Sequence, residues 1–218
     1  MNKKEKMKKI LKFLKGRYGR EIGARLSMRS DLFRLLITTI LSQRTRDENT
    51  RKAANNLFFV VSKPEEILRL DDKKMQALIR PSGMFKQKAK NIKKLCKILV
   101  EKLDKKIPGT REALMDLPGV GNKTADIVLS YGIGIPTIAV DVHVEVCSKR
   151  LGLVRKKARY DEIRETLEEL TPERERFLVN LGFVKFGQEI CLTRRPRCYI
   201  CPLLSICEYG KKEYCKSL

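Results

Sequence analysis

The stretch LPGVGNKTADIVLSYGIGIPTIAVDVH, from Leu117 to His143, is the part of the sequence on which the interpretation of the whole chain depends. Its first two glycines, Gly119 and Gly121, are followed almost at once by a lysine, Lys123. Near its end, Asp141 stands close to the only histidine in the chain. A turn between two helices requires neither a lysine nor an aspartate, so the stretch predicts a turn that also has a chemical role.

The segment from Leu117 to Gly121 predicts a helix–hairpin–helix turn, because helical patterns stand on both sides of it. Glycine adopts backbone angles closed to other residues, and Gly119 and Gly121 would let the chain approach a ligand closely. Backbone N–H groups at the start of the next helix then suit one phosphate of DNA, without reading its sequence. Leu117 and Val120 are expected to point inward and hold the hairpin on the core. An ordinary helix–helix turn is the alternative.

Lys123 falls in the first turn of the helix that follows the hairpin. The positive end of the helix dipole and partial burial would both disfavour the ammonium form and favour the free amine. A free amine is a nucleophile that forms Schiff bases with sugar aldehydes. The alternative is a lysine that only adds positive charge for a phosphate, and the residues alone leave both possibilities open.

Asp141 follows the apolar run TIAV and opens a predicted helix, so one role for it is an N-cap. Its second possible role is to assist proton transfer from the lysine and to stabilise positive charge on a sugar. His143 is interpreted as structural. A single histidine excludes multi-histidine metal sites, and no G-x-S-x-G segment is present to support a serine hydrolase.

Four cysteines near the C-terminal end have the spacing C-x6-C-x2-C-x5-C; they are Cys191, Cys198, Cys201 and Cys207. Four thiolates can hold a tetrahedral zinc ion or an iron–sulfur cluster, and the spacing leaves the metal open. Three arginines fill the loop between the first two of these cysteines, namely Arg194, Arg195 and Arg197. A bound metal would stiffen this basic loop and aim its arginines at phosphates. The remaining cysteines are interpreted as free thiols; they are Cys96, Cys147 and Cys215.

The composition predicts a polyanionic partner. The 218 residues include 48 Lys and Arg against 26 Asp and Glu, which gives a formal net charge of +22. The alternative is a heavily charged thermophile-like surface, but such surfaces usually balance the two signs, and nucleic acid is the commonest polyanion. No apolar stretch approaches the ~20 residues that cross a bilayer. The basic N-terminal segment lacks the apolar run of a signal peptide, so we expect a cytoplasmic protein.

Helical periodicity dominates, which predicts an all-α fold. The stretch SDLFRLLITTILS is apolar on nearly all sides and predicts the central buried helix, and Ser62 and Glu65 have capping-box spacing before another helix. Thr171 is predicted to cap the last helix, with Pro172 as its first residue. The predicted helices cover 30–42, 47–60, 71–79, 86–103, 111–115, 122–130, 141–151, 160–170 and 172–192. The segment YGIGIPT, residues 131–137, is the nearest thing to an internal boundary.

Taken together, LPGVGNKTA, IPTIAVDVH and the four-cysteine spacing closely resemble the endonuclease III family of helix–hairpin–helix DNA glycosylases. The resemblance extends upstream to LLITTILSQRTRD and SGMFKQKAKNIKKL, so it covers nearly the whole chain. It implies a two-lobed fold: a six-helix barrel lobe over 24–135, with the helix–hairpin–helix at about 111–130, and a second lobe from 1–23 and 136–218. It also implies a [4Fe–4S] cluster bound by the four cysteines within 191–207.

The resemblance further implies a monomeric enzyme that acts on double-stranded DNA containing damaged bases or abasic sites. The lysine at position 123 resembles that of the bifunctional branch, which removes oxidised pyrimidines and then cleaves the strand by β-elimination. Met84 matches a position at which relatives have a wedging apolar residue. Gln43 and Arg44 lie in the loop that relatives use to probe the opposite strand, and their order leaves open which one enters the helix. A monofunctional thymine or adenine mismatch glycosylase and a non-enzymatic DNA-binding module are the alternatives.

Overall fold

A computed structural model describes residues 1–27 and 31–214, with the side chains of 24–27 and 213–214 left out of the description. Ser30 and Cys215 lie outside the described residues. Within these ranges the chain forms α-helices and short 3-10 or π-helical segments, and no β-strand. The predicted all-α class is therefore confirmed. No helix in the described part is long and apolar enough to cross a bilayer.

The α-helices fall close to the predicted positions. Their bounds are α1 Lys3–Ser27, α2 Leu32–Ser42, α3 Asp47–Val60, α4 Pro64–Arg69, α5 Asp72–Ile79, α6 Phe85–Lys102, α7 Arg111–Met115, α8 Asn122–Ile127, α9 Val142–Leu151, α10 Tyr160–Leu170 and α11 Arg176–Glu189. A π-helical segment, Val128–Ile133, continues α8 directly. Asp31, Asp71, Thr110 and Asp141 cap α2, α5, α7 and α9 with side-chain oxygens.

Two predictions about the beginnings of helices are wrong: the capping residues of α4, which does begin at Pro64, and the first residue of α11. At α4 the carboxylate that caps the helix N-terminus belongs to Glu66 and not to Glu65. Glu66 accepts from the Lys63 N–H at 3.3 Å, whereas Glu65 forms an ion pair with Lys105 at 2.6 Å. Pro172 has a non-helical ψ of 137°, and a 3-10 turn at Glu173–Glu175 separates it from α11. Proline fixes only φ, so the sequence signal for a helix start is also compatible with an extended residue.

The chain divides into two compact units, which are Arg29–Gly134 and the combination of Met1–Met28 with Ile135–Leu218. They are called here the middle unit and the terminal unit. In the middle unit, α2 packs against α3, α6 and α8. Its residues Leu36, Ile37 and Leu41 are fully buried, as expected for a central helix, and join a single apolar core with residues of α3 to α8.

The terminal unit is built around α11, which packs against α1 and α9. One apolar stripe of α1 is buried; it consists of Met7, Ile10, Leu11, Leu14 and Tyr18. Gly182 of α11 lies against the side chain of Leu14, at a distance where a Cβ atom would be only 3.0 Å from Leu14 Cδ1. The absence of a side chain there lets the two helices approach closely.

Candidate active site and nucleic-acid interface

The hairpin has the predicted shape, and its two glycines differ in role. Gly119 has a φ of +85°, and the Val120 N–H donates to Leu117 O at 3.0 Å to close the turn. Leu117 and Val120 are buried, as expected. Gly121 has a φ of −112°, which any residue can adopt, so the expectation of a special backbone angle there is wrong. A Cβ at Gly121 would meet no atom within 4 Å, which leaves the backbone open on that side.

Gln43 holds the hairpin from the loop after α2. Its Nε2 donates to Gly119 O at 2.8 Å and to Thr124 Oγ1 at 3.2 Å. These two bonds join the turn to the first turn of α8. The side-chain amide of Gln43 is thus used inside the middle unit, whereas Arg44 next to it is exposed and has no bonded partner within the described ranges.

Lys123 is the second residue of α8 and is exposed, so the expected partial burial is wrong. The buried residues of this turn are its neighbours Thr124 and Ala125, because they face the core of the middle unit. The first backbone bond of the helix is donated by Ala125 to Gly121 O at 3.0 Å, so the preceding N–H groups have no helical acceptor. Lys123 is therefore an exposed residue in a helical turn whose first N–H groups have no helical acceptor.

Asp141 belongs to the terminal unit and caps α9. Its Oδ1 accepts from the His143 and Val144 N–H groups, both at 2.9 Å. Its other oxygen, Oδ2, has no hydrogen-bond partner among the residues described here, and the side chain is half-buried. One carboxylate oxygen is thus occupied in holding the helix, and the second remains available.

The segment before Asp141 is extended in an otherwise helical unit, and side chains satisfy its backbone. Glu168 Oε1 accepts from Ile138 N at 2.9 Å, and the Tyr160 hydroxyl accepts from Val140 N at 3.1 Å. Asn180 Nδ2 donates to Ala139 O at 2.5 Å. Helices α10 and α11 therefore fix the path of the chain that leads to Asp141.

His143 packs against α11, where a Cβ added to Gly187 would lie 2.5 Å from its Nδ1. This nitrogen is buried and has no hydrogen-bond partner in the described structure. The close contact with the helix backbone agrees with the structural interpretation of His143.

The four cysteines of the C-terminal loop line one small cavity. Within residues 1–27 and 31–214, no group of His, Cys, Asp or Glu side chains is arranged to hold a single metal ion. A tetrahedral zinc ion would need the sulfurs at about 2.3 Å from one point. Four cysteines that line one cavity can close on such an ion or on an iron–sulfur cluster.

Arg150 holds the start of this cysteine loop. Its Nη1 donates to Leu192 O at 2.7 Å and its Nη2 to Thr193 O at 2.9 Å, while its own carbonyl accepts from Cys207 Sγ at 3.2 Å. Hydrogen bonding from Cys147, supported by Arg150 and opposed by burial, lowers the pKa of the Cys191 thiol to about 6. A thiolate is the form that binds metals.

The three arginines of the loop are exposed. Arg197 donates to Glu189 O at 3.3 Å, and Arg195 has a left-handed backbone with φ of 51°. Arg194 and Arg195 have no ion-pair partner in the described part of the chain, so their charges are free for an external anion.

Met84 is exposed to 57% and, like Arg44, has a left-handed backbone, with φ of 44° against 52° for Arg44.

One side chain that the sequence interpretation missed, Lys88, connects the loop of Arg44 with the loop of Met84. Lys88 is only 4% exposed although it is a lysine. A signal was present, because Lys88 falls on the same helical stripe as Ala89, Ile92 and other core residues of α6.

Three comparisons place these features in a family. The model of the HhH-GPD superfamily of base excision DNA repair proteins matches residues 37–173. Endonuclease III of Thermotoga maritima is 44% identical over 184 residues, covering 84% of this chain and 86% of the relative. A trapped endonuclease III–DNA covalent intermediate has a TM-score of 0.89 and 34% identity, covering 98% of this chain and 100% of the other.

A thermostable thymine-DNA glycosylase is less similar, with a TM-score of 0.79 and 27% identity over 86% of this chain and 88% of the other. The order of similarity favours endonuclease III over the mismatch glycosylase. On these grounds the chain belongs to the endonuclease III family of HhH-GPD base excision DNA repair proteins.

Proposed function

We propose that Lys123 is the nucleophile and Asp141 the assisting carboxylate of this protein, which is a DNA glycosylase and abasic-site lyase of base excision repair. The observation that supports the proposal most directly is the position of Lys123. It is exposed in the first turn of α8, the turn whose N–H groups a phosphate of the substrate would approach. An amine nucleophile forms covalent intermediates with its substrate, and a similar structure is a trapped endonuclease III–DNA covalent intermediate.

The proposed reaction has two stages. The damaged nucleotide leaves the duplex, at a cost of a few kcal/mol. The neutral amine of Lys123 attacks the anomeric carbon, the base departs with the electron pair of the glycosidic bond, and the nitrogen loses a proton. Ring opening gives a Schiff base, which makes the neighbouring sugar proton acidic. Loss of that proton breaks the bond to the 3′ phosphate, and water then releases Lys123.

Asp141 assists the first stage. Its charge stabilises the positive charge that develops on the sugar, and its free Oδ2 is available to accept a proton. Its Oδ1 accepts hydrogen bonds from two backbone N–H groups, and these bonds keep the carboxylate in one orientation. We include oxidised pyrimidines in the proposal as the class of damaged base, because the lysine resembles that of the bifunctional branch.

Cys191, Cys198, Cys201 and Cys207 would hold a [4Fe–4S] cluster. The common cavity and the lowered pKa of Cys191 support this part of the proposal. The cluster would supply cohesion to the C-terminal loop and fix the basic segment beside it. The bond-breaking steps above use only protein side chains.

The protein binds DNA, and we assign the contacts to the hairpin, the basic loop and two loop tips. Arg194, Arg195 and Arg197 would contact phosphates. Gln43 is committed to the hairpin, so Arg44 is the residue of that loop that enters the helix, while Met84 fills the gap left by the flipped nucleotide. We further propose that the protein acts as a monomer in the cytoplasm, in association with the nucleoid if the source is prokaryotic.

Trapping of the Schiff base tests the central assignment. Mixing the protein with an abasic-site duplex and borohydride is expected to give a covalent protein–DNA adduct, because borohydride reduces the imine. Lys123→Gln removes the amine and is expected to abolish the adduct while leaving DNA affinity nearly unchanged. Lys94→Gln removes another exposed amine of the middle unit and serves as the control, since basic proteins have weak lyase activity of their own.

The same experiment is repeated with a duplex that contains an oxidised pyrimidine. An adduct with both substrates supports a bifunctional enzyme. Base release without an adduct would assign the protein to the monofunctional class, and equal trapping by Lys123→Gln and the unmodified protein would show that another amine is the nucleophile.

A further inference from the structure

The side chain of Lys88 is a buried ammonium surrounded by backbone oxygens. Its Nζ lies 2.7 Å from Leu41 O, 2.8 Å from Gln43 O and 2.7 Å from Ser82 O. The hydroxyl oxygen of Thr45 is a fourth acceptor, at 2.9 Å. No carboxylate in the described ranges 1–27 and 31–214 forms an ion pair with it. The three N–H donors of an ammonium group are thus shared among four oxygens.

These oxygens belong to two separate loops. Leu41, Gln43 and Thr45 lie at the end of α2 and in the loop that follows, and the carbonyls at a helix end favour a cation. Ser82 lies just before Met84, at the start of α6. The Thr45 hydroxyl also donates to Ser82 O, so the two loops are bonded directly as well as through Lys88.

Each loop presents one exposed residue in a strained backbone conformation. Arg44 and Met84 both have positive φ, which is unfavourable for a residue other than glycine. Such residues persist only where their surroundings fix the backbone. Lys88 forms hydrogen bonds next to both of these residues. Its side-chain amine donates to Gln43 and Thr45, which flank Arg44 in the chain. Its backbone N–H donates to Met84 O at 3.0 Å.

We propose that Lys88 is a positioning residue that holds the Gln43–Thr45 and Ser82–Met84 loops as one rigid pair, so that Arg44 and Met84 enter the DNA together. The inference rests on the proposed function of these two side chains. Lys88 is too deeply buried to touch DNA itself, and its effect is on the step in which a stacked base leaves the duplex. Burial lowers its pKa to about 8, so the ammonium form with three donors still predominates at neutral pH.

The test compares Lys88→Met with the unmodified protein on two substrates. The substitution keeps the length of the side chain and removes its hydrogen-bond donors. Single-turnover excision of a base-paired oxidised pyrimidine should fall by about 10- to 100-fold, because misplaced contacts of ~1 Å have effects of that order. Borohydride trapping at a preformed abasic site should fall by no more than about threefold, because little stacking remains to be replaced. A 2-aminopurine base beside the lesion reports the unstacking step directly, and its fluorescence rise should slow by the same factor as excision.

A double-mutant cycle separates positioning from a general loss of structure. If Lys88 acts through the Met84 loop, Lys88→Met should cause little further loss of excision rate in a protein that already contains Met84→Ala. If the two substitutions act independently, their fold losses of excision rate should multiply to within about twofold. Lys6→Met is the matched control. Lys6 is also a buried lysine that donates to a carbonyl, Leu151 O at 2.6 Å, although it is in addition paired with Glu208 at 3.3 Å. It lies in the terminal unit, so the ratio of the excision rate to the trapping rate should stay unchanged.

If Lys88→Met does not fold, Thr45→Val provides the same test with a smaller perturbation, and should shift the ratio in the same direction. Equal losses on the two substrates, or no loss on either, would overturn the positioning role. Absence of both excision and trapping in the unmodified protein would instead overturn the proposed function, and the inference with it.

Discussion

Asp141 has two functions that a single substitution can separate. Its Oδ1 caps α9, and asparagine is as good an N-cap as aspartate. Asp141→Asn should therefore change the free energy of unfolding by less than about 0.5 kcal/mol, whereas Asp141→Ala should lower it by about 1 kcal/mol. Both substitutions remove the carboxylate charge, so both should slow base excision by about 100-fold or more.

Thermal denaturation and single-turnover excision of an oxidised pyrimidine measure the two effects of Asp141 independently. Trapping of Asp141→Asn at a preformed abasic site should survive in part, because the base has already gone. Full excision activity in Asp141→Asn would reduce Asp141 to a helix cap and remove it from the proposed chemistry.

At the scale of the element, the hairpin contains a matched pair of glycines. Gly119 has a positive φ, and a Cβ there would lie 3.1 Å from Asn91 Cβ. Gly119→Ala should therefore lower the free energy of unfolding by about 1–2 kcal/mol. Gly121 has an ordinary φ and open space around it, so Gly121→Ala should change the free energy of unfolding by less than about 1 kcal/mol.

The methyl group of Gly121→Ala would instead stand where a phosphate approaches the start of α8. We expect its affinity for duplex DNA to fall by about tenfold, which corresponds to about 1.4 kcal/mol. Denaturant unfolding and fluorescence anisotropy measure the two quantities. Unchanged affinity in a folded Gly121→Ala protein would argue against a phosphate at this turn.

The hairpin also shows how far the sequence alone specifies the site. Helices such as α3, α7 and α10 begin and end at the predicted residues, because apolar periodicity and caps are local signals. The role of Gln43 was not predictable, because its bonds to Gly119 and Thr124 join segments far apart in the chain. Lys88 was predictable in principle, since a lysine on the apolar stripe of α6 must either reach solvent or find buried acceptors.

The cysteine loop is the second element whose role can be tested by itself. The purified protein should be yellow-brown and contain iron, and Cys201→Ser should remove the iron and bleach the charge-transfer band, because a [4Fe–4S] cluster would need all four thiolates. Folding of the C-terminal loop should be lost with it, since metal binding and local folding are coupled. Cys96→Ser is the control, because Cys96 is a buried thiol of the middle unit, outside the four-cysteine spacing.

Elemental analysis and limited proteolysis follow the metal and the loop separately. The unmodified protein and Cys96→Ser should both contain iron. Stoichiometric zinc in place of iron would contradict the assignment of the cysteines to a cluster.

At the scale of the whole molecule, the excess of positive charge should promote the binding of any DNA duplex, and it does not distinguish damaged from undamaged DNA. A formal net charge of +22 attracts any duplex, and each phosphate neutralised by the protein releases counterions. Many of the lysines and arginines are already paired within the chain; Arg155, for example, donates two bonds of 2.7 Å to Glu162. The charges that contribute most to binding should be the exposed, unpaired ones, such as Arg194 and Arg195.

Affinity for undamaged duplex should therefore fall steeply between ~50 and 200 mM salt, with a slope set by the number of phosphates contacted. Arg194→Ala and Arg195→Ala should each weaken binding to all duplexes about equally and reduce the salt slope by about 1. Arg155→Ala removes the same formal charge, but it frees Glu162 and should change the slope less. Anisotropy titrations at several salt concentrations give these slopes. A flat salt dependence, or equal slopes for Arg155→Ala and Arg194→Ala, would mean that net charge and not the basic loop governs binding.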